Sequence, residues 1–452
     1  MADARSEMLT GWSRTAPSAA TVVSVSSDTE VDDLLAHAGE RGIIARGLGR
    51  SYGDAAQNAG GTVLDGLSLA DVIDVDVARD TVRVAAGISF DTLMRFVVPL
   101  GFFVPVTPGT RLVTVGGALA ADVHGKNHHV DGSLANHVEA FTLHTPKGVV
   151  TVTPDSDPEL FWGTAGAMGL TGVVTEVVLR LLPVETSLLR TRNERCHDLD
   201  TVMARMLDDD ADYRYSVAWI DCLASGTSLG RSILSRGDHA QRDELPPKHR
   251  AKPLHFDPQA RIGAPPWAPN GLLNRASIAI FNELWYRVSP RLHGGGFETI
   301  SSFFHPLDGV REWNRLYGSR GFLQYQYVVP DDAHAAVRRS VEMLSHARAA
   351  SFLAVLKRFG AQNPGPLSFP APGWTLALDI PATVPGLAQL LDDLDELVAD
   401  VGGRVYLAKD SRLRPELLPV MYPDLPRFAE LRARVDPAGV LQSDLRRRLG
   451  LP

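Results

Sequence analysis

Three glycine-rich segments crowd into residues 45–172. A chain so spaced must bring backbone close to backbone, or backbone close to a ligand, three times over. The first, ARGLGRSYGD at residues 45–54, follows a strand-like Ile43, Ile44 and Ala45. Its glycines let amides approach a bound anion, and Arg46, Arg50 and Ser51 add donors. The spacing is G-x-G-x-x-x-G with no regular helix expected after it, which is not the usual dinucleotide fingerprint; a tight glycine turn is the competing reading. The second, PGTRLVTVGGALAADVHGKNHH at residues 108–129, carries Gly116 and Gly117 before small residues, so that backbone can lie against a flat or phosphorylated ligand. The third, FWGTAGAMGLTG at residues 161–172, places four glycines before a valine-rich strand. None has the G-x-x-x-x-G-K form of a phosphate loop.

Composition narrows the class. A length of 452 residues suits two or three domains, and 44% hydrophobic with 22% charged residues is ordinary for a globular chain. The net charge of −8 does not suit a surface that neutralises phosphate backbones, so nucleic acid is not an expected partner. The longest apolar run, residues 96–106, is broken by Pro99, Gly101 and Pro105, far short of the roughly 20 residues that a membrane helix needs. Residues 1–18 lack the basic start and apolar core of an export signal, so the expectation is a soluble or peripheral protein, its side of the plasma membrane left open. Cys196 and Cys222 are too few for a disulfide framework and read as small buried residues. His124, His128 and His129 match no zinc-site spacing; structural or ligand contacts are the open readings, and no metal is expected.

Residues 22–183 alternate strand-like and helix-like pieces. Ser27 and Glu30 read as a capping box opening a short helix through Val31, Leu34 and Leu35 that ends at Gly39 or Gly42. Alternation over 72–77 and 81–85 predicts an antiparallel hairpin, and β-rich runs at 148–153 and 170–182 complete an α+β half. A second texture begins near Val184. Strands are expected at 213–220, 323–329, 352–357 and 374–380 in one antiparallel sheet, with helices at 332–348 and 385–401 packed on it. Residues 244–270 hold seven prolines and little periodicity, the mark of a lid or of disorder, and His293 to Gly296 is a second candidate for mobility.

Together the three segments resemble the FAD-binding domain of the vanillyl-alcohol-oxidase superfamily, in which one glycine loop cradles the pyrophosphate and a second runs along the isoalloxazine. Within it, ARGLGRSYGDAAQN (45–58), residues 108–129, GFLQYQYVVP (321–330), GWTLALDIP (373–381) and YLAKDSR (406–412) are similar to the decaprenylphosphoryl-ribose oxidases, the flavin halves of actinobacterial ribose-to-arabinose epimerases. The resemblance spans nearly the whole chain. It implies a two-domain α+β flavoprotein: an FAD domain in residues 7–186, a substrate domain with an antiparallel sheet and packed helices in 187–403, and a return segment, 404–452, completing the first. Implied flavin contacts are Arg46, Gly47, Gly49, Arg50, Ser51 and Tyr52 in the first loop, then Gly109, Thr114, Val115, Gly116 and Gly117. Ala121, Asp122, Val123 and His124 follow, with Val174 and Tyr406. Relatives that tether FAD covalently often carry a histidine where this chain has Arg50, so FAD is expected to be held non-covalently.

On the substrate side, residues two apart on a strand share a face, so Gln324 and Gln326 point one way while Tyr325 and Tyr327 point the other. Lys357 and Phe359 likewise share a side. Taken alone, Lys357 is a lysine at a strand end and Trp219 a core tryptophan; the resemblance turns both towards a substrate pocket with Thr375 and Ala377. Mycobacterial relatives carry asparagine and cysteine at those last two positions, which alters a sugar contact here and removes a thiol that captures nitroaromatic inhibitors. Lys409 is the first candidate for catalysis. Oxidising a secondary alcohol takes a hydride from carbon and a proton from the hydroxyl, and a lysine serves either as base or as a cation stabilising the alkoxide; both stay open. Tyr52, His124 and Gln326 are supporting hydrogen-bond candidates, and Lys126 is a point charge for the substrate phosphate.

The resemblance implies oxidation of the ribose 2′-hydroxyl of a polyprenylphosphoryl ribose to the 2-keto sugar, serving cell-wall arabinan synthesis. A separate NAD(P)H-dependent reductase would complete the epimerisation, and the lipid tail implies peripheral membrane contact. The alternatives are an FAD-dependent oxidase of soluble sugars or aldonolactones, and a catalytically silent flavin- or lipid-binding partner.

Overall fold

The computed structural model describes residues 4–260, 262–288 and 296–452; His293, Gly294 and Gly295 lie outside the described residues. Two sheets build the first half. Ala4–Leu9 pairs antiparallel with Ser18–Ser24, and Thr62–Asp65 then Ile43–Arg46 extend that sheet in parallel. Ser27 caps the helix Asp28–Ala36, but Glu30 reaches back to the Ser26 amide at 2.7 Å instead of the Ser27 amide. A five-stranded antiparallel sheet runs Val72–Asp76, Thr81–Ala85, Val173–Arg180, Val138–Thr145 and Gly148–Val152. The predicted hairpin is present, its turn closed by Asp80 at φ 54°.

The second half is one eight-stranded antiparallel sheet in the order Gly296–Thr299, Leu188–Cys196, Ser232–His239, Tyr215–Ile220, Ala354–Phe359, Gly373–Pro381, Phe322–Val329 and Arg404–Val405. The four strands expected from sequence lie side by side at its centre. Leu188–Cys196 and Ser232–His239 were not legible, because Arg190, Arg192, Glu194 and Arg236 interrupt their apolar alternation. The helices His334–His346 and Leu387–Asp400 cover one face, where Tyr325, Tyr327, Leu376 and Leu378 meet Val337, Val341, Leu391 and Leu394 in a dry core.

Register fixes what lies on the other face. Lys357 stands opposite Thr375, Val355 opposite Ala377, Gln326 opposite Ala377, Gln324 opposite Asp379, and Trp219 opposite Val355. Directly opposed residues of an antiparallel pair project to the same side. Trp219, Gln324, Gln326, Lys357, Phe359, Thr375, Ala377 and Asp379 therefore share one face, turned towards the first half.

The last strand of this sheet, Arg404–Val405, belongs to the segment expected to return to the FAD domain. From there the chain crosses back: Gln442 donates to the Ile43 carbonyl at 2.9 Å, Leu441 bridges Ile43, and Leu441 packs with Val31, Leu35 and Leu64. The described residues of 244–270 hold only the four-residue helix Pro247–Arg250 and the strand Ile262–Gly263, and the unpredicted helix Arg275–Val288 follows.

Candidate active site

The glycine segments first serve the chain itself. A Cβ on Gly53 would lie 1.8 Å from the Asp410 carbonyl oxygen, and one on Gly47 would lie 2.3 Å from Thr114 Oγ1. The Tyr52 amide donates to the Ala408 carbonyl at 2.9 Å, and Arg50 Nε donates to the Leu112 carbonyl at 3.1 Å. The first loop is thus wedged between the second loop and the return segment. Gly116 and Gly117 lie in the first turn of a short helix, Val115–Ala120, capped by Thr114; a Cβ on Gly116 would sit 2.8 Å from that of Ala86. The Ala86 amide in turn donates to Thr175, next to Val174, at 2.7 Å. The third segment packs on the second, with the Met168 amide on the Ala120 carbonyl at 2.8 Å.

The residues present suit the phosphates of an anionic cofactor. A cavity of about 370 Å³ lies against the first loop, walled by Gly49 and by Arg14, Arg46 and Arg50. Gly109 faces open space, and the buried Nδ1 of His124 has no partner. Arg50 also stacks 3.7 Å over Trp12. Asp122 differs from its expected part: at φ 40°, its carboxylate accepts from Asn363 at 2.6 Å and Ser368 at 2.5 Å. That carboxylate braces the loop, and the amides of Ala121, Asp122 and Val123 all donate to carbonyls of the preceding helix.

Around His124 the two halves meet. Its ring packs between Phe359 at 4.8 Å, Phe369 at 5.4 Å and Tyr406 at 5.2 Å, while Tyr406 Oη donates to the Ala121 carbonyl at 2.7 Å. Gln326 Nε2 lies 2.9 Å from His124 Nε2 and 3.2 Å from Thr375 Oγ1, one acceptor for each of its two protons. His124 Nε2 accepts, so the ring proton sits on Nδ1. Burial, then the charges of Lys357, His128 and Lys409, hold this imidazole neutral, well below the ordinary histidine range.

Two lysines stand beside it. Burial, with Lys409 and Lys126 nearby, pulls Lys357 down to about 7. Lys409, anchored by its amide on the Tyr406 carbonyl at 2.9 Å, holds Nζ 3.9 Å above the Tyr52 ring. Burial lowers its pKa, and Asp379 pulls the other way. Asp379 was missed by sequence reasoning. Wholly buried, it accepts from Gln324 Nε2 at 2.5 Å through Oδ1, its Oδ2 has no partner, and burial raises its pKa. Its signal was an acidic residue two positions beyond Ala377 in an apolar strand, which becomes meaningful only once Gln324 is known to lie opposite. Tyr52, packed edge-on against Phe322 at 5.7 Å, is pushed well up by burial and stays a phenol.

Other candidates stand apart. Lys126 Nζ donates to the Phe303 carbonyl at 2.5 Å and sits 4.2 Å over that ring, lowered by burial to about 8 but within electrostatic reach of Lys357. Trp219 is on the right face, at its outer side, its Nε1 donating to the Phe352 carbonyl at 3.0 Å. His128 accepts from the Gly360 amide at 3.2 Å and His129 lies 2.9 Å from the Tyr213 carbonyl, so both are tied into backbone. Among the described residues no three His, Cys, Asp or Glu are placed to hold a metal.

Such a site, with amines and a carboxylate desolvated beside glycine loops, suits removal of a proton from a hydroxyl next to a redox cofactor. Comparison with known proteins agrees. Residues 19–153 match a family described as FAD binding domain, and residues 380–449 match one described as D-arabinono-1,4-lactone oxidase. Decaprenylphosphoryl-beta-D-ribose oxidase of Mycolicibacterium smegmatis is 44% identical over 98% of this chain and 97% of its own length. An uncharacterized protein from Streptomyces coelicolor is 45% identical over 80% of this chain and all of its own. L-gulono-1,4-lactone dehydrogenase of Mycobacterium tuberculosis is 24% identical over 96% of both. The chain is a two-domain α+β FAD-dependent oxidoreductase, and it belongs to the family of decaprenylphosphoryl-beta-D-ribose oxidase.

Proposed function

We propose that this enzyme oxidises the ribose 2′-hydroxyl of decaprenylphosphoryl-β-D-ribose to the 2-keto sugar, the first half of epimerisation to the arabinose form used in cell-wall arabinan. One observation carries the reading: a desolvated Lys409 faces the polar side of the sheet, where Asp379 Oδ2, Gln324 Oε1 and His124 Nδ1 are all buried without partners in the protein. A polyhydroxylated sugar satisfies such atoms. FAD, when bound, supplies the acceptor for the hydride leaving the sugar carbon. The chain's residues do the rest. Lys409, its pKa lowered towards neutrality, accepts the hydroxyl proton at Nζ, and Asp379 sets how readily it does so. Neutral His124, fixed by Gln326, offers Nδ1–H to the sugar oxygen. Lys357 and Lys126 meet the substrate phosphate, whose charge draws protons onto both amines.

The loops at residues 46–52, 109–117 and 121–124, with Val174 and Tyr406, hold the cofactor, and Arg50 leaves it non-covalent. Residues 7–186 and 404–452 form the cofactor domain and 187–403 the substrate domain. The keto product passes to a separate NAD(P)H-dependent reductase. A lipid-linked substrate places the enzyme at a membrane surface; among the described residues no helix is long and apolar enough to cross one.

The match of residues 380–449 to a lactone oxidase family favours a second reading, an oxidase of soluble aldonolactones. Anaerobic visible spectra of the holoenzyme separate the two. Bleaching by a short-chain polyprenylphosphoryl ribose, and by neither free ribose nor an aldonolactone, is the expected result; bleaching by the lactone alone overturns the proposal.

A further inference from the structure

The helix Arg275–Val288 buries little apolar surface. Its inward side holds Ile278 and is otherwise anchored by polar groups: wholly buried Asn282 donates to Asp221 Oδ1 at 2.7 Å, Tyr286 Oη donates to the Cys196 carbonyl at 3.3 Å, and Glu283 pairs with Arg231 at 2.7 Å. Its outward side carries Ile280, Leu284 and Val288 at successive turns, 63%, 58% and 76% exposed, flanked by Phe281. Ile262, Trp267 and Leu272, on the segment leading into the helix, are exposed as well. Scattered apolar residues are normal on a surface, but a contiguous patch built on one helix marks an interaction site.

Charge and continuity say what covers it. Residues 244–288 hold six lysines and arginines against three acidic residues, in a chain whose net charge is −8. An apolar helix face within a basic segment is the form of an element that lies in the interface of an anionic bilayer. The same helix also touches a packed aromatic cluster that reaches Tyr52 beneath Lys409. Phe281 contacts Phe352 at 6.0 Å, Phe352 contacts Tyr317 at 6.0 Å, Tyr317 stacks on Phe322 at 4.2 Å, and Phe322 meets Tyr52 beneath Lys409. We propose that the outward face of Arg275–Val288 docks this enzyme onto an anionic phospholipid surface. The docking face stands on its own residues; that it serves a lipid-linked substrate rests on the proposed function.

The test uses the holoenzyme and vesicles of phosphatidylcholine with or without phosphatidylglycerol. Wild type is expected to sediment with the anionic vesicles, and Ile280→Ser/Leu284→Ser/Val288→Ser to bind at least tenfold more weakly, while both are bleached equally by a water-soluble short-chain polyprenylphosphoryl ribose. A second measurement is independent of the triple variant's folding. Cys196 and Cys222 are buried, so an environment-sensitive fluorophore on Leu284→Cys reports that position, with Leu207→Cys, exposed on the helix Leu199–Asp209, as control. A blue shift at 284 and none at 207 supports docking by this face. Equal shifts, undiminished binding by the triple variant, or a wild type that ignores vesicles, including one whose patch is covered by a second copy, overturns it. Vesicle binding without bleaching by any prenylated sugar supports the docking face and instead removes the substrate reading.

Discussion

Among the cations that leave water in this molecule, two sets are treated oppositely. In the return segment, Arg448 reaches both Asp54 and Asp410 at 2.8 Å, and Arg412 reaches Asp395 at 2.8 Å and also pairs with Asp392. Burial lowers the affinity of both guanidinium groups for their protons, yet the carboxylates overcome it and each pKa ends above the ordinary arginine value. In the site, Lys409, Lys357 and Lys126 undergo the same desolvation, enter no ion pair among the described residues, and all end below the ordinary lysine value. Arg448 fastens the return segment to the first loop through Asp54, and Arg412 fastens it to the helix Leu387–Asp400. In the proposed function, the unpaired lysines would meet groups that the substrate brings. Charge that is satisfied inside the protein gives structure, and charge left unsatisfied is available for chemistry.

Removing one member of each set is the strongest test of that contrast. Lys409→Met is expected to lower the rate of flavin reduction by about 10³-fold, within the usual range for a general base. Its flavin spectrum and melting temperature should match wild type; loss of flavin would make Lys409 a structural residue. Arg448→Met is expected to do the reverse. It leaves Asp54 and Asp410 without their cation, a loss of about 3 kcal/mol for a buried pair. Denaturant unfolding should show that loss, while the folded fraction reduces flavin at the wild-type rate. A stable Arg448→Met with impaired reduction would break the division between the two sets.

The three unpaired lysines were named through the resemblance, whereas the ion pairs of Arg448 and Arg412 were not read from the sequence at all. Local signals carry over: the 72–85 hairpin, the four central strands and the leucine-spaced helix Leu387–Asp400 depend on neighbours in the chain. Gln324 and Gln326 could be assigned to one face by alternation alone. Asp379 could not, since its importance comes from lying opposite Gln324, 55 residues away, and from Lys409 arriving after another crossing. The aromatic cluster of Tyr317, Phe322 and Phe352 has the same origin in distant contacts. The helix Arg275–Val288 went unread because its apolar stripe faces outward beside a proline-rich stretch.

A smaller effect sharpens the boundary between paired and unpaired, because Asp379 lies between the two. Its charge favours the protonated form of Lys409 without forming an ion pair among the described residues. Asp379→Asn removes that attraction while keeping an acceptor for Gln324. Lys409 then gives up its proton more readily, so the acid limb of the pH–rate profile should move to lower pH by about one unit. The plateau rate should fall only about tenfold as positioning is lost. An unmoved limb with a lower plateau would reduce Asp379 to a purely structural partner of Gln324.

The smallest effect concerns stability. Lys357 is lowered to about 7 by burial and by its cationic neighbours, while an unfolded chain holds its lysine proton up to about 10.4. Below pH 7 both states keep the proton, and the folded state bears the whole cost of a desolvated, unpaired charge. Between pH 7 and about 10.4 the unfolded chain retains a proton that the folded chain has released, so this group makes stability rise with pH. Lys357→Met, which keeps the side-chain length and discards the charge, should therefore be more stable than wild type by about 1–2 kcal/mol at pH 6, with the advantage disappearing towards pH 10. Binding of a phosphorylated substrate should narrow the gap, because the anion supplies what Lys357 lacks. If Lys357→Met is instead less stable than wild type at pH 6, the lysine is already satisfied within the protein and belongs with Arg448 and Arg412.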